Sequence, residues 1–185
     1  MTHFKTTFRI IAVTWIVCCG LYSGTVWVIG QTLSSDTAQG SIMRDVGGQI
    51  VGSRQVAQAF SKPQYFWPRP SAVNYAADSA GGSNLSPTNS KLKERAQETL
   101  KGYAEEASKS PVPVDLIAAS GSGLDPHITE AAALYQAKRV AKTRNLPIEN
   151  VESMIRKEAF TSGGMFTSTK LVNVLSLNLA LDENK

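Results

Sequence analysis

Between Ile10 and Ser35 the chain carries no Asp, Glu, Lys, Arg or His, and from Ile10 to Ile29 it is densely apolar. Twenty helical residues rise roughly 30 Å, the thickness of a bilayer's hydrocarbon core. A buried helix of a soluble protein usually keeps a polar face, whereas from Ile10 to Gln31 this stretch offers only Thr14, Ser23, Thr25 and Gln31. A cleaved signal peptide is the sharper alternative. Its apolar region should be shorter and end in a small-x-small site, and no convincing one follows here. Nor is there a lipoprotein box, because Val17 and Cys18 precede the two cysteines, Cys18 and Cys19, where a small residue is required. Residues 10–33 are therefore expected to be a transmembrane anchor.

Lys5 and Arg9 precede the anchor, and the nearest charges beyond it are Asp36, Arg44 and Asp45. Because basic residues are retained on the cytoplasmic side, residues 1–9 should be cytoplasmic and residues 36–185 outside. The expected location is the cell (inner) membrane, with a single pass and a periplasmic or otherwise extracytoplasmic C-terminal domain. Both cysteines lie in the anchor, so no disulfide staples that domain and it must fold on its core. The total of 19 Lys plus Arg against 15 Asp plus Glu falls to an excess of two once Lys5 and Arg9 are set aside, and the basic residues are scattered along the chain and form no stripe. A nucleic-acid partner is not expected.

Inside the anchor, Gly20 and Gly24 with Ser23 place small residues on one helix face, where a partner helix can approach closely; the alternative is an accidental pair facing lipid. After a polar linker at 34–45, residues 46–185 should form one domain of α/β (α+β) type. Val46 to Val51 suggests a short strand, and Ser53 to Phe60 one or two helical turns. Residues 61–90 show no period and hold Pro63, Pro68, Pro70, Pro87, Gly81 and Gly82. So long a loop in a compact domain is usually functional or partner-bound. The spacing of Leu92, Ala96, Leu100, Tyr103 and Ala107 predicts an amphipathic helix from Ser90 to about Ser108. Val112 to Ile117 reads as a strand. Asp125 and Pro126 read as the N-cap and first residue of an alanine-rich helix running to about Thr143, Pro147 opens another, and 171–181 fits both a helix and a strand period, its length favouring helix.

The Ser120 to Asp125 loop is where a phosphate would bind if one did. It lacks the lysine of a P-loop, the third glycine of a dinucleotide fingerprint and the leading glycine of a nucleophile elbow. A tight turn is the simpler reading. His3 and His127 are the only histidines, and with no cysteine in the domain no metal site is expected. His127, as the second residue of a helix, is expected on the surface, and no catalytic set is identifiable. Tyr65, Phe66 and Trp67 with Arg69 either stack a ligand ring or bury the long loop on the domain. Burial is the more economical reading, because aromatics fix a Pro-rich segment.

Three blocks resemble the C subunit of the Kdp-type potassium-transporting ATPase, the KdpC family. The first is Pro63-x-Tyr65-Phe66-Trp67-Pro68-Arg69-Pro70-Ser71-Ala72, continuing through Gly81-Gly82-Ser83-Asn84-Leu85-Ser86-Pro87-Thr88-Asn89. The second is Asp115-Leu116, Ser120 to Ile128, Ala131-Ala132, Gln136 and Arg139-Val140-Ala141. The third is Val172 to Leu175 with Leu177 to Asp182. They come in the family's order behind its single N-terminal helix. Departures occur at Val56 to Phe60, at Pro68 and Asn145 where the family has other residues, and over Thr161 to Lys170.

The resemblance implies a non-catalytic subunit that stabilises or assembles a pump (ATP-hydrolysing) subunit and a potassium-channel-like subunit in a membrane complex. It also implies a catalytic chaperone that raises the pump subunit's ATP affinity, so that ATP is met through the complex and no metal or covalent cofactor is held. Gly81, Gly82, Ser83 and Asn84 resemble the signature loop of ABC transporters and are the candidate nucleotide contacts, a Gly-Gly turn being the alternative. Gly20, Gly24, Tyr65, Phe66, Trp67 and Arg69 are the candidate partner contacts, and membrane lipid surrounds the anchor. A rival from another class is a membrane-anchored nucleotide-binding or hydrolytic domain using Ser120 to His127.

Overall fold

In the computed structural model, which describes residues 2–108, 110–164 and 167–183, the chain divides into two units, 1–42 and 43–185. The first unit is one long helical run: α1 (Thr2–Trp15), a π-helical turn (Ile16–Leu21) and α2 (Tyr22–Leu33). The run from His3 to Leu33 is long and apolar enough to cross a membrane, and its most apolar window is buried nowhere by this chain. The Tyr22 amide bonds to the Val17 carbonyl, five residues back, as a π-turn requires. Thr25 and Thr32 donate their hydroxyls to Leu21 O at 2.7 Å and Val28 O at 2.9 Å. Both hydroxyls are thus satisfied within the helix, as an apolar medium demands. A four-residue helix, α3 (Ser35–Ala38), follows.

A hairpin of β1 (Ile42–Arg44) and β2 (Ile50–Ser53) follows, its first residue the last of the first unit and the remainder in the second. The strand expected over Val46 to Val51 is displaced, because Asp45 turns the chain. The Asp45 N–H donates to Gln49 O at 3.0 Å, and its Oδ1 accepts from the Gln49 amide at 2.9 Å. Ser53 to Phe60 is not helical. Instead the Ala57 N–H donates to Leu124 O at 2.9 Å and the Gln58 side chain to Val51 O at 2.7 Å, so distant partners take the bonds a helix would have made.

Helix α4 (Ser90–Gly102) is capped by Asn89, whose side chain accepts from Lys91 N, and α5 (Ala104–Ala107) follows. The segment 112–117 is not a strand. Pro111 and Pro113 cannot donate to a ladder, and Val114–Leu116 forms a 3₁₀ turn that buries Leu116. The alanine-rich helix does not start at Pro126. His127–Thr129 is a strand, β3, and α6 (Glu130–Arg144) starts on Thr129, whose hydroxyl accepts from Ala132 N at 3.2 Å. Helix α6 ends on Asn145 with φ +56°, a left-handed cap that asparagine tolerates. Pro147 then caps α7 (Ile148–Glu158). The expected helix over 171–181 begins three residues late, because Lys170–Asn173 is strand β5 and α8 spans Val174–Glu183.

Strand β5 is the centre of a three-stranded antiparallel sheet, with β3 on one side and β4 (Phe160–Thr161) on the other. Its register pairs His127 with Asn173, Ile128 with Val172 and Thr129 with Leu171. The core lies between this sheet and helices α6, α7 and α8. Ala132, Ala133, Ala137, Val140 and Ala141 line the inner side of α6, and Val151, Ile155, Leu177 and Leu181 come from α7 and α8. Small α6 residues let α7 pack directly against them.

Candidate functional site

Residues 61–89 contain no helix or strand, yet they are fixed to the core. Two buried amide side chains hold them as a neighbouring strand would. Asn178 Oδ1 accepts from the Phe66 N–H at 2.9 Å and its Nδ2 donates to Phe66 O at 3.1 Å. One residue later, Gln136 Oε1 accepts from the Trp67 N–H at 2.8 Å and its Nε2 donates to Trp67 O at 3.1 Å. Asn178, Gln136 and Phe66 are all fully or almost fully buried. A buried backbone amide or carbonyl without a partner costs about 1–3 kcal/mol, so these two side chains make a Pro-rich segment compatible with the core.

Two arginines of α6 extend the clamp. Arg139 donates to the carbonyls of Pro63 and Tyr65 and lies 3.8 Å from the Trp67 ring centre. Burial pulls its guanidinium below the ordinary value, and Tyr103 and Glu106 offset part of that pull. The Tyr103 phenol, packed edge-on against Trp67, is pushed up chiefly by burial. Arg144 donates to Gln64 O at 2.8 Å and Leu181 O at 3.0 Å and pairs with Asp182 at 2.8 Å. The other Asp182 oxygen accepts from the Tyr65 hydroxyl at 2.9 Å.

The two glycine-bearing loops picked out from the sequence pack against each other. The Gly81 N–H donates to Ser122 O at 2.7 Å, the Ser71 hydroxyl to Gly123 O at 2.7 Å, and the Ser120 N–H to Pro70 O at 3.1 Å. A Cβ on Gly82 would stand 2.8 Å from Gly121 O. At Gly123, whose φ is +70°, a Cβ would stand 2.6 Å from the Val73 side chain and 2.8 Å from Gly81 O. Glycine is needed there for torsion and for backbone contact together. Ser83 lines an apolar groove of about 630 Å³ together with Leu92, Ala96, Leu100 and Ile117, and Asn84 is exposed with φ +50°.

Asp125 is not a helix cap; it organises a small polar chain. One oxygen accepts from the His127 N–H at 3.0 Å and lies 3.2 Å from His127 Nδ1, and the other meets Arg69 at 3.2 Å. The hydrogen bond with the His127 side chain is the main influence holding Asp125 below its ordinary carboxylate value. His127 sits on β3 with its ring edge-on to Phe160, not on a helix surface.

The sequence-derived candidates therefore fall in three places. Tyr65, Phe66, Trp67 and Arg69 lie on the clamped strap, with the Phe66 side chain wholly inside the core. Gly81 and Gly82 lie against the Ser120 to Gly123 turn, while Gly20 and Gly24 lie on the helical run of the other unit, where an added Cβ meets nothing within 4 Å. The clamping residues Gln136, Asn178, Arg139 and Arg144 were not singled out as site residues by sequence reasoning. A buried glutamine in the alanine stripe of α6 was the available signal.

Among the described residues no group of three or more His, Cys, Asp or Glu is placed to hold a metal. The sequence profile of the KdpC family, K+-transporting ATPase, c chain, matches residues 4–183. The chain belongs to the KdpC family. Relatives bearing the name potassium-transporting ATPase KdpC subunit agree along almost their whole length. The Parvibaculum lavamentivorans protein is 50% identical over 182 residues, covering 98% of this chain and 97% of the relative. That of Paraburkholderia phytofirmans is 44% identical, with 98% and 97% covered. The Gloeobacter violaceus protein is 39% identical, with 98% and 96% covered. The match to KdpC thus takes in the apolar N-terminal helix, the strap and the sheet alike.

Proposed function

We propose that the chain is the accessory, non-catalytic subunit of an ATP-driven potassium uptake complex, in which it stabilises or assembles a pump subunit and a channel-like subunit. The full-length KdpC match, apolar helix included, is the observation that carries this reading. In it, residues 10–33 cross the membrane with Lys5 and Arg9 on the cytoplasmic side, and the α+β domain lies outside. Gly20 and Gly24 admit a partner helix. The strap from Tyr65 to Arg69, held at both amides and both arginines, gives the domain a fixed surface to offer a partner, since docking then orders no further backbone.

ATP is cytoplasmic, so in this topology any rise in the pump subunit's ATP affinity travels through the complex. The Gly81 amide supports that route, because it is already committed to Ser122 O.

The test is potassium-stimulated ATP hydrolysis by membranes that contain the pump and channel-like subunits with and without this chain. Hydrolysis should be lost or strongly reduced without it and restored by adding it back. Full activity in its absence, or ATP hydrolysis by the purified chain alone, would overturn the reading.

A further inference from the structure

We propose that the β1–β2 hairpin rests on the lipid headgroup surface, a second membrane contact beside the spanning helix; this depends on residues 10–33 being a span. Among the described residues from 42 onward, six large apolar side chains are exposed, and Ile42, Val46 and Ile50 of this one hairpin are three of them. They are not scattered. Ile42 and Arg44 share one face of β1 while Met43 between them is turned inward, and Ile50 is the exposed residue of β2. Val46, at 83% exposure, stands on the tip beside Gly47 and Gly48.

The first unit supplies the reason that lipid covers this face. Beyond Leu33 the chain does not continue away along the helix axis. Ser34, at φ −150° and ψ 49°, ends the helix and α3 folds back, so that Ala38 Cβ lies 3.7 Å from the Cβ position of Gly30. Gly30 adjoins Ile29, where the dense apolar run ends. The return is locked by the Ser41 N–H donating to Asp36 O at 2.8 Å, and by Gly40 and Ser41 at φ +88° and +47°. Ile42 is therefore delivered at the level where the apolar run gives out.

Val46 is four residues further, within a reach of roughly 14 Å at about 3.5 Å per residue. The headgroup layer on each side of the hydrocarbon is about 5–8 Å deep. Isoleucine and valine gain by entering that layer, and a guanidinium beside them pairs with lipid phosphate. Arg44 donates one N–H to Gly48 O at 2.9 Å, which holds it over the tip and leaves donors for a phosphate. Asp45 balances its charge, so zwitterionic lipid suffices.

The test uses the full chain, with Cys18→Ser and Cys19→Ser, reconstituted in phosphatidylethanolamine vesicles containing a minor share of phosphatidylglycerol. Spin labels are placed singly at Val46→Cys, Ile50→Cys and, as a water-exposed reference on α4, Lys93→Cys. A further variant keeps native Cys18 as the membrane reference. The ratio of oxygen to nickel-chelate accessibility should be severalfold higher at 46 and 50 than at 93 and lower than at 18. A ratio at 46 and 50 equal to that at 93 would overturn the hairpin contact while a high ratio at 18 keeps the span. A low ratio at 18 would instead remove the span and the proposal with it. Shielding of 46 and 50 from both reagents, only when pump and channel-like subunits are present, would mean that protein covers the face and would equally overturn the proposal.

Discussion

Replacing Asn178 with alanine removes both partners of Phe66, a residue with no exposed surface. Water cannot reach either the orphaned N–H or the orphaned carbonyl. At about 1–3 kcal/mol for each unsatisfied buried group, the loss is roughly 2–6 kcal/mol. A domain of this size shifts its melting temperature by about 3 °C for each kcal/mol, so the variant should melt roughly 6–18 °C lower. The assay is thermal unfolding of the full chain in detergent, followed by near-ultraviolet circular dichroism, to which Trp67 contributes. Asn178→Asp sharpens the reasoning. At neutral pH a carboxylate still accepts from the Phe66 N–H but faces the Phe66 carbonyl with no proton to give, so this variant should also be destabilised. Acidification should recover part of the loss, since the protonated acid donates again. A loss below about 1 kcal/mol for Asn178→Ala would show that the strap is held elsewhere and would refute the clamp.

Gly123→Ala should destabilise by roughly 2–4 kcal/mol, combining the strain of a positive φ with an approach to Gly81 O that backbone cannot relieve; a melting curve like the parent's would refute it. Asp125 is held below its ordinary value, first by its hydrogen bond with His127. Its contribution to stability is therefore present above the ordinary carboxylate value and lost as pH falls through the depressed folded one. The stability gap between the parent and Asp125→Asn should narrow on acidification in that window; a gap constant with pH would contradict the assignment. Gly20→Leu with Gly24→Leu should lower the yield of assembled complex without changing the melting of the domain, because this chain places nothing within 4 Å of either site. Unchanged yield would put the glycines against lipid.

How much of this was legible depended on the range of the interaction concerned. The N-terminal helix, α4 and α7 are local objects, and an uncharged run or a 3.6-residue period is enough to place them. Strand β3 is three residues long, too short for any period, and Asp125-Pro126 mimics a helix start five residues before Glu130. What decides that start is Thr129, whose role as a cap emerges only once Ile128 is paired with Val172. The strap stands out in the sequence as an aperiodic Pro-rich segment, but its fastening is not readable there. The bonds from Gln136 and Asn178 join residues 69 and 112 positions apart, and nothing local distinguishes a clamping amide from a solvated one. The same holds for the glycines: Gly82 and Gly121 touch across the fold, so two turns that looked like separate candidate sites are one packed contact.

The role proposed for this member of the KdpC family is that of an assembling subunit and not of an enzyme in its own right. Its most direct test is affinity purification of the tagged chain from membranes in mild detergent, with the pump and channel-like subunits co-expressed. Both subunits should elute with the tagged chain, and the eluate should hydrolyse ATP in response to potassium. Elution of the chain alone, with the other two subunits still active together in the unbound fraction, would contradict it.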